Sequence, residues 1–141
     1  MSEAQTDTLS RPAVAGVLTE TDAMANLAVR DIARARQFYE GTLGFEPVAR
    51  QGEELIAYRS GKTVFNVYCS KFAGTNQATA VTWAVGDRLE PVVEALVAKG
   101  ISFEHYDLPG LRREGDIHVA DDMKAAWFKD PDGNILNLVT G

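Results

Sequence analysis

LAVRDIARARQFYEGTLGF (27–45) and WAVGDRLEPVVEALVAKGI (83–101) align with each other without a gap, and that self-match decides the architecture. Ala28-Val29-x-Asp31 falls on Ala84-Val85-x-Asp87, and Gly44 falls on Gly100. Each copy reads as strand, Asp N-cap, helix, Gly C-cap, strand. An Asp side chain accepts from the free amides of a first helical turn, and glycine tolerates the left-handed backbone that ends a helix. Ile32, Ala35, Phe38, Tyr39 and Leu43 make an apolar stripe at helical spacing, and Leu89, Val92, Val93, Leu96 and Val97 make its counterpart. Pro91 then belongs in the first turn, where a missing amide hydrogen matters least.

Strand-like runs follow each helix: EPVAR, ELIAYRS and KTVFNVYCS in the first half, ISFEH, KAAWFKD and NILNLV in the second. Each half is therefore βαβββ, with modules at 23–70 and 79–141 joined by KFAGTNQAT. The second module carries an insertion at 106–123, YDLPGLRREGDIHVADDM, before its last two strands. The expected class is α+β: tandem βαβββ modules forming a curled mixed sheet, whose helix-free faces enclose a cavity. Residues 1–22 read as a flexible acidic, Thr/Ser-rich tail ahead of a single domain at 23–141.

Composition narrows the function. The 141 residues suffice for one domain with a real core, and 45% hydrophobic with 24% charged residues is ordinary for a soluble protein. A formal net charge of −6 argues against nucleic-acid or anionic-membrane partners, which are met with basic patches. There is no apolar run of membrane-spanning length. The start lacks a basic n-region, and the one cysteine, Cys69, excludes an internal disulfide, so the expected location is the cytoplasm.

AAWFKDPDGNILNLV (125–139) contains two strand-like runs around Asp130-Pro131-Asp132-Gly133. Alternation puts Ile135, Asn137 and Val139 on one face and Leu136 and Leu138 on the other. Asp130 and Asp132 look like a metal or acid pair, but in this context they are read as the residues that terminate and stabilise the turn. Cys69 is expected to be an inert thiol in the helix-facing layer.

Tandem βαβββ units with RARQFYEGTLGFEPV in the first half and AAWFKDPDGNILNLV at the end resemble the vicinal oxygen chelate superfamily, which includes glyoxalases, extradiol dioxygenases, and fosfomycin- and bleomycin-resistance proteins. The likeness covers about residues 24–139. It implies metal-ligand positions that fall here on Met24, Asn66, Ala80 and Asn137. A catalytic divalent ion wants at least three imidazole or carboxylate donors. Met is a soft donor, Ala is none, and two carboxamides hold a hard ion poorly. Only two histidines exist, His105 and His118, and both lie in or beside the insertion. No metal and no cofactor is therefore expected.

The strand parity implied by the resemblance turns Met24, Asn26, Ala28, Val64, Asn66, Tyr68, Ala80, Thr82, Ala125, Trp127, Ile135 and Asn137 toward the cavity. Leu27, Val29, Phe65, Val67, Val81, Trp83, Val85, Leu136 and Leu138 face the helices. The expected ligand-binding set is Asn26, Asn66, Tyr68, Thr82, Trp127 and Asn137: an aromatic platform with a few orienting polar groups. Asn66 and Asn137 have a second reading as partners of each other across the cavity floor. The insertion is a candidate lid, with Arg112 and Arg113 meeting an anionic ligand and His118 shuttling a proton; its alternative is a solvated charged loop. The leading expectation is a metal-free binder of a small organic molecule, working as a homodimer like the drug-binding relatives. The alternative is a metal-independent lyase or isomerase acting through Tyr68, His118 or an acid of the insertion. A metal-dependent glyoxalase or dioxygenase ranks third.

Overall fold

The computed structural model describes residues 16–141. Residues 1–15 of the expected tail lie outside the described residues, while Gly16–Thr21 forms turns held by Thr19 N–H to Gly16 O (3.1 Å) and Thr21 N–H to Leu18 O (3.2 Å). The first module runs β1 (Asn26–Val29), α1 (Ile32–Arg36, continued by a π-helical turn at Gln37–Thr42), β2 (Glu46–Gln51), β3 (Leu55–Ser60) and β4 (Thr63–Cys69). The second runs β5 (Thr79–Ala84), a 3-10 turn (Gly86–Arg88), α2 (Leu89–Ala98), β6 (Phe103–Glu104), β7 (Arg112–Glu114), β8 (Ile117–Ala120), β9 (Met123–Lys129) and β10 (Ile135–Val139). No helix among the described residues is long and apolar enough to cross a membrane.

The strands form two mixed sheets of order β1-β4-β3-β2 and β5-β10-β9-β8-β7, with β6 also on β9. β1 lies parallel to β4 and β5 parallel to β10, the same arrangement in each half, as expected of a repeat. Helix-facing side chains of both sheets merge into one core with Ile32, Ala35 and Tyr39 of α1 and Leu89 and Val93 of α2. Every residue expected to face the helices is buried or packs against this core, with Leu27, Val29, Val67 and Leu136 fully enclosed.

The two helices start differently. Asp31 caps α1 as expected, its carboxylate accepting from Ala33 N–H (2.8 Å) and Arg34 N–H (3.4 Å). Asp87 does not cap α2. It sits inside the 3-10 turn, and the helix begins only at Leu89, without a side-chain cap. The first helix also widens into a π turn, where Leu43 N–H reaches Phe38 O (2.9 Å) and Phe45 N–H reaches Tyr39 O (2.9 Å). That wider turn lets the adjacent Phe38 and Tyr39 both meet the second module, Phe38 against Phe128 and Tyr39 against Asp130.

The Asp130–Asn134 turn clasps the modules together. Asp130 Oδ1 accepts from Asp132 N–H and Asn134 N–H, both at 2.9 Å, so Asp130 stabilises the turn, while the Asp132 carboxylate faces Arg30 and Arg34. Beyond that, Tyr39 donates its hydroxyl to Asp130 Oδ2 (2.7 Å), and Asn134 donates its amide to Ala28 O (2.8 Å). Arg34 bonds Pro131 O (3.0 Å) and pairs with Asp132 (3.3 Å). Burial and the neighbouring carboxylate drive the Tyr39 phenol pKa far upward, so it stays a donor.

Candidate ligand-binding site

Register, rather than sequence proximity, assembles the expected site. Across the second sheet Thr82 pairs with Asn137 and Asn137 with Trp127, putting three expected residues in one row. In the first sheet Asn26 pairs with Asn66, while Tyr68 pairs with Ala28 one step along. These side chains stand on the faces turned away from the helices, as alternation requires.

The amides are already engaged. Asn137 is only 5% exposed; its Oδ1 accepts from the Thr82 hydroxyl (2.9 Å) and its Nδ2 donates to Ala126 O (3.1 Å). Asn66 donates to Asn26 Oδ1 (3.2 Å), so each amide bonds within its own sheet and the Asn66–Asn137 pairing of the alternative reading is not formed. The positions where the fold implies metal ligands therefore do not suit an ion. Asn137 has its carbonyl oxygen turned to Thr82, Met24 is 54% exposed, and Ala80 has no donor. Among the described residues, no three His, Cys, Asp or Glu side chains cluster to hold a metal.

A cleft of about 630 Å³ opens where the linker crosses the second sheet, walled by Trp127, Tyr106, Leu108 and Ile135, with Lys129 at one side and linker residues 74 and 76–79 above. Trp127 and Tyr106 meet edge to face at 5.4 Å, and Trp127 Nε1–H donates to Thr79 Oγ1 (3.2 Å). A smaller cleft of about 250 Å³ takes Asn26, Tyr68 and Ala80. Gly74 and Asn76 line both, so the linker is the partition between them. Of the expected binding residues, Trp127 belongs to the larger cleft and Asn26 and Tyr68 to the smaller, whereas Asn66, Thr82 and Asn137 brace the sheets.

Residues 112–120 of the insertion form a hairpin where a solvated charged loop was the alternative reading, and an irregular segment precedes it. β7 and β8 pair with each other, and β8 continues the sheet along β9, in line with β6. Backbone pairing holds Arg112 and Arg113 on the exposed outer strand, where Arg112 pairs with Glu114 (3.0 Å) and Arg113 donates to Gly115 O (2.9 Å). His118 is 1% exposed, behind the cleft wall rather than in the cleft. Its Nε2 accepts from Tyr106 N–H (2.9 Å), and its ring meets Trp127 edge to face at 4.9 Å. That bond assigns the proton to Nδ1, which has no partner of good geometry. Burial lowers the His118 pKa, the charges of Arg113 and His105 add to this, and the Ala125 carbonyl opposes it. The neutral ring is a brace for Tyr106 and Trp127, and a proton shuttle would need it in the open.

Tyr106, Leu108, Lys129 and Gly74–Thr79 were not among the residues expected at the site. Lys129 was within reach, since it shares the face of Trp127 two residues along β9. Tyr106 and Leu108 lie in an irregular segment that offers no periodicity from which to read a direction. Cys69, expected to be a buried thiol in the helix-facing layer, packs against the core but is only half-buried, and burial raises its pKa, which favours the thiol.

The chain belongs to the glyoxalase/bleomycin resistance protein/dioxygenase superfamily, whose family model matches residues 22–138. No curated protein matches the chain in sequence. Among solved structures it is similar to a bleomycin-binding protein complexed with bleomycin, at 21% identity and TM-score 0.64, covering 85% of this chain and 98% of that one. It is also similar to the fosfomycin resistance protein of Mesorhizobium loti, at 15% identity and TM-score 0.62, covering 86% of this chain and 92% of the other. Lactoylglutathione lyase from Agrobacterium tumefaciens gives 16% identity, TM-score 0.62, and coverage of 84% and 92%. These likenesses carry the fold, which hosts several chemistries.

Proposed function

We propose that this protein binds a small, partly aromatic organic molecule without a metal ion and sequesters it, and that it does so as a cytoplasmic homodimer. The observation that carries the reading is the open cleft of about 630 Å³ walled by Trp127 and Tyr106, a size and lining suited to a compact organic ligand. The bleomycin-binding relative supports it at the level of the family. A donor set of Met, Ala and two Asn favours binding over metal-assisted chemistry. The dimer is supported by β2, an edge strand exposed at all six of its residues, which a second copy would cover.

The test is a thermal-shift screen of aromatic and amphipathic compounds, then calorimetric titration of the best hit into wild type and Trp127→Ala. Affinity should fall about ten-fold or more on losing the indole. Unchanged affinity in a folded Trp127→Ala variant would move the ligand out of this cleft and defeat the proposal. Light scattering at micromolar concentration should give twice the 15.3 kDa chain mass. A mass equal to the single chain would overturn the dimer.

A further inference from the structure

We infer that the Trp127 cleft selects planar aromatic anions, with the Lys129 ammonium reading their charge. This rests on the cleft being the binding site and adds the class of ligand. Among the described residues that line it, Lys129 carries the one charged side chain; its carboxylate neighbour, Glu104, stands outside the lining on β6. Lys129 and Trp127 project from the same face of β9, so a ring lying along the indole brings its substituent toward the ammonium.

Two of the neutral polar groups around the cleft, the Asn76 amide and the indole N–H, are engaged within the protein. Asn76 folds back on Ala78, accepting from its N–H and donating to its O, both at 3.1 Å, and the indole N–H is taken by Thr79. Gln77 contributes a further amide. Lys129 is held only loosely, with Glu104 Oε1 at 3.7 Å and both side chains partly exposed, so ammonium hydrogens are available to a ligand. The net charge of −6 does not cancel this attraction. Charges beyond about 8 Å are screened at physiological salt, whereas a ligand carboxylate would sit beside Lys129.

Three matched probes test the inference by calorimetry on the full chain: 1-naphthoate, 1-naphthylmethanol and 1-naphthylmethylammonium. Naphthoate should bind about five-fold more tightly than the alcohol, as expected of a partly exposed ion pair, and the ammonium compound more weakly than either. Lys129→Gln should bring naphthoate down to the level of the alcohol while leaving the alcohol unchanged. Lys129→Glu should reverse the order of the two charged probes. Trp127→Ala should weaken all three. Equal affinity for the three probes, with the Trp127 dependence intact, would overturn anion selection and leave the binding role standing. Binding of none of them would count against both.

Discussion

Two residues at the site illustrate how different the roles of neighbouring groups are. Trp127 faces the cleft, so Trp127→Ala should cost affinity. Asn137, its cross-strand partner, is buried and hydrogen-bonded to Thr82 and Ala126. Asn137→Ala should therefore leave probe affinity within about two-fold but destabilise the fold by about 1–3 kcal/mol, the cost of orphaned buried partners. Chemical denaturation beside the titration separates the two outcomes. His118 makes a third case. The native ring is neutral and its pKa is lowered mainly by burial, so below about pH 6.5 the unfolded chain takes up a proton that the native state resists. Stability should fall with decreasing pH from that point, at up to about 1.4 kcal/mol per pH unit, until the native pKa is passed. His118→Gln should flatten that slope in pH-dependent denaturation while keeping an acceptor for the Tyr106 amide; an unchanged slope would show that another group causes it. Alternation showed which neighbours of Trp127 and Asn137 share a face, and the resemblance implied which face turns to the cavity. Whether a side chain faces a cleft or a neighbouring strand was not legible, because register joins Thr82 to Asn137 across 55 positions of sequence.

Elements were legible where a periodic pattern met a turn signal and illegible elsewhere. The self-match placed both helices, and the runs after them placed β3, β4, β9 and β10 to within a residue or so. The π turn left no trace, since its stripe of Phe38, Tyr39 and Leu43 reads the same as an α-helical one. The hairpin of β7 and β8 was hidden by charge: Arg112, Arg113 and Glu114 look like solvated loop, yet backbone pairing to β8 needs nothing of their side chains. The linker shows its role through one glycine. Gly74 has φ +82°, and a Cβ there would lie 2.9 Å from Asp132 O and 3.2 Å from Arg30 Nη2. Gly74→Ala should thus combine left-handed strain with a backbone clash, lowering stability by about 2 kcal/mol. It should also loosen the partition between the clefts. Thermal denaturation of Gly74→Ala beside the surface control Gly61→Ala, which meets nothing within 4 Å though its φ is also positive, isolates the clash.

At the scale of the whole molecule, the two halves repeat the fold but not the cleft. The first module keeps the four-stranded sheet, while the second adds the hairpin that braces Tyr106 and Trp127, so the cleft wall belongs to one half alone. The halves share one apolar core, and Trp83 Nε1–H donates to Ser60 Oγ (2.9 Å). Further polar contacts between them gather at the Asp130–Asn134 turn, where Tyr39→Phe should cost about 1–2 kcal/mol by removing the hydroxyl from a buried carboxylate. Urea denaturation checks this, and a variant as stable as wild type would show the bond to be incidental. The clasp also bears on covalent continuity. Its contacts run from the second module's turn to α1 and β1 of the first, and the linker peptide bonds contribute none of them. A chain nicked between Gln77 and Ala78 should therefore remain assembled. Fragments 1–77 and 78–141, produced separately, should then form a complementing pair whose reunion restores the indole cleft.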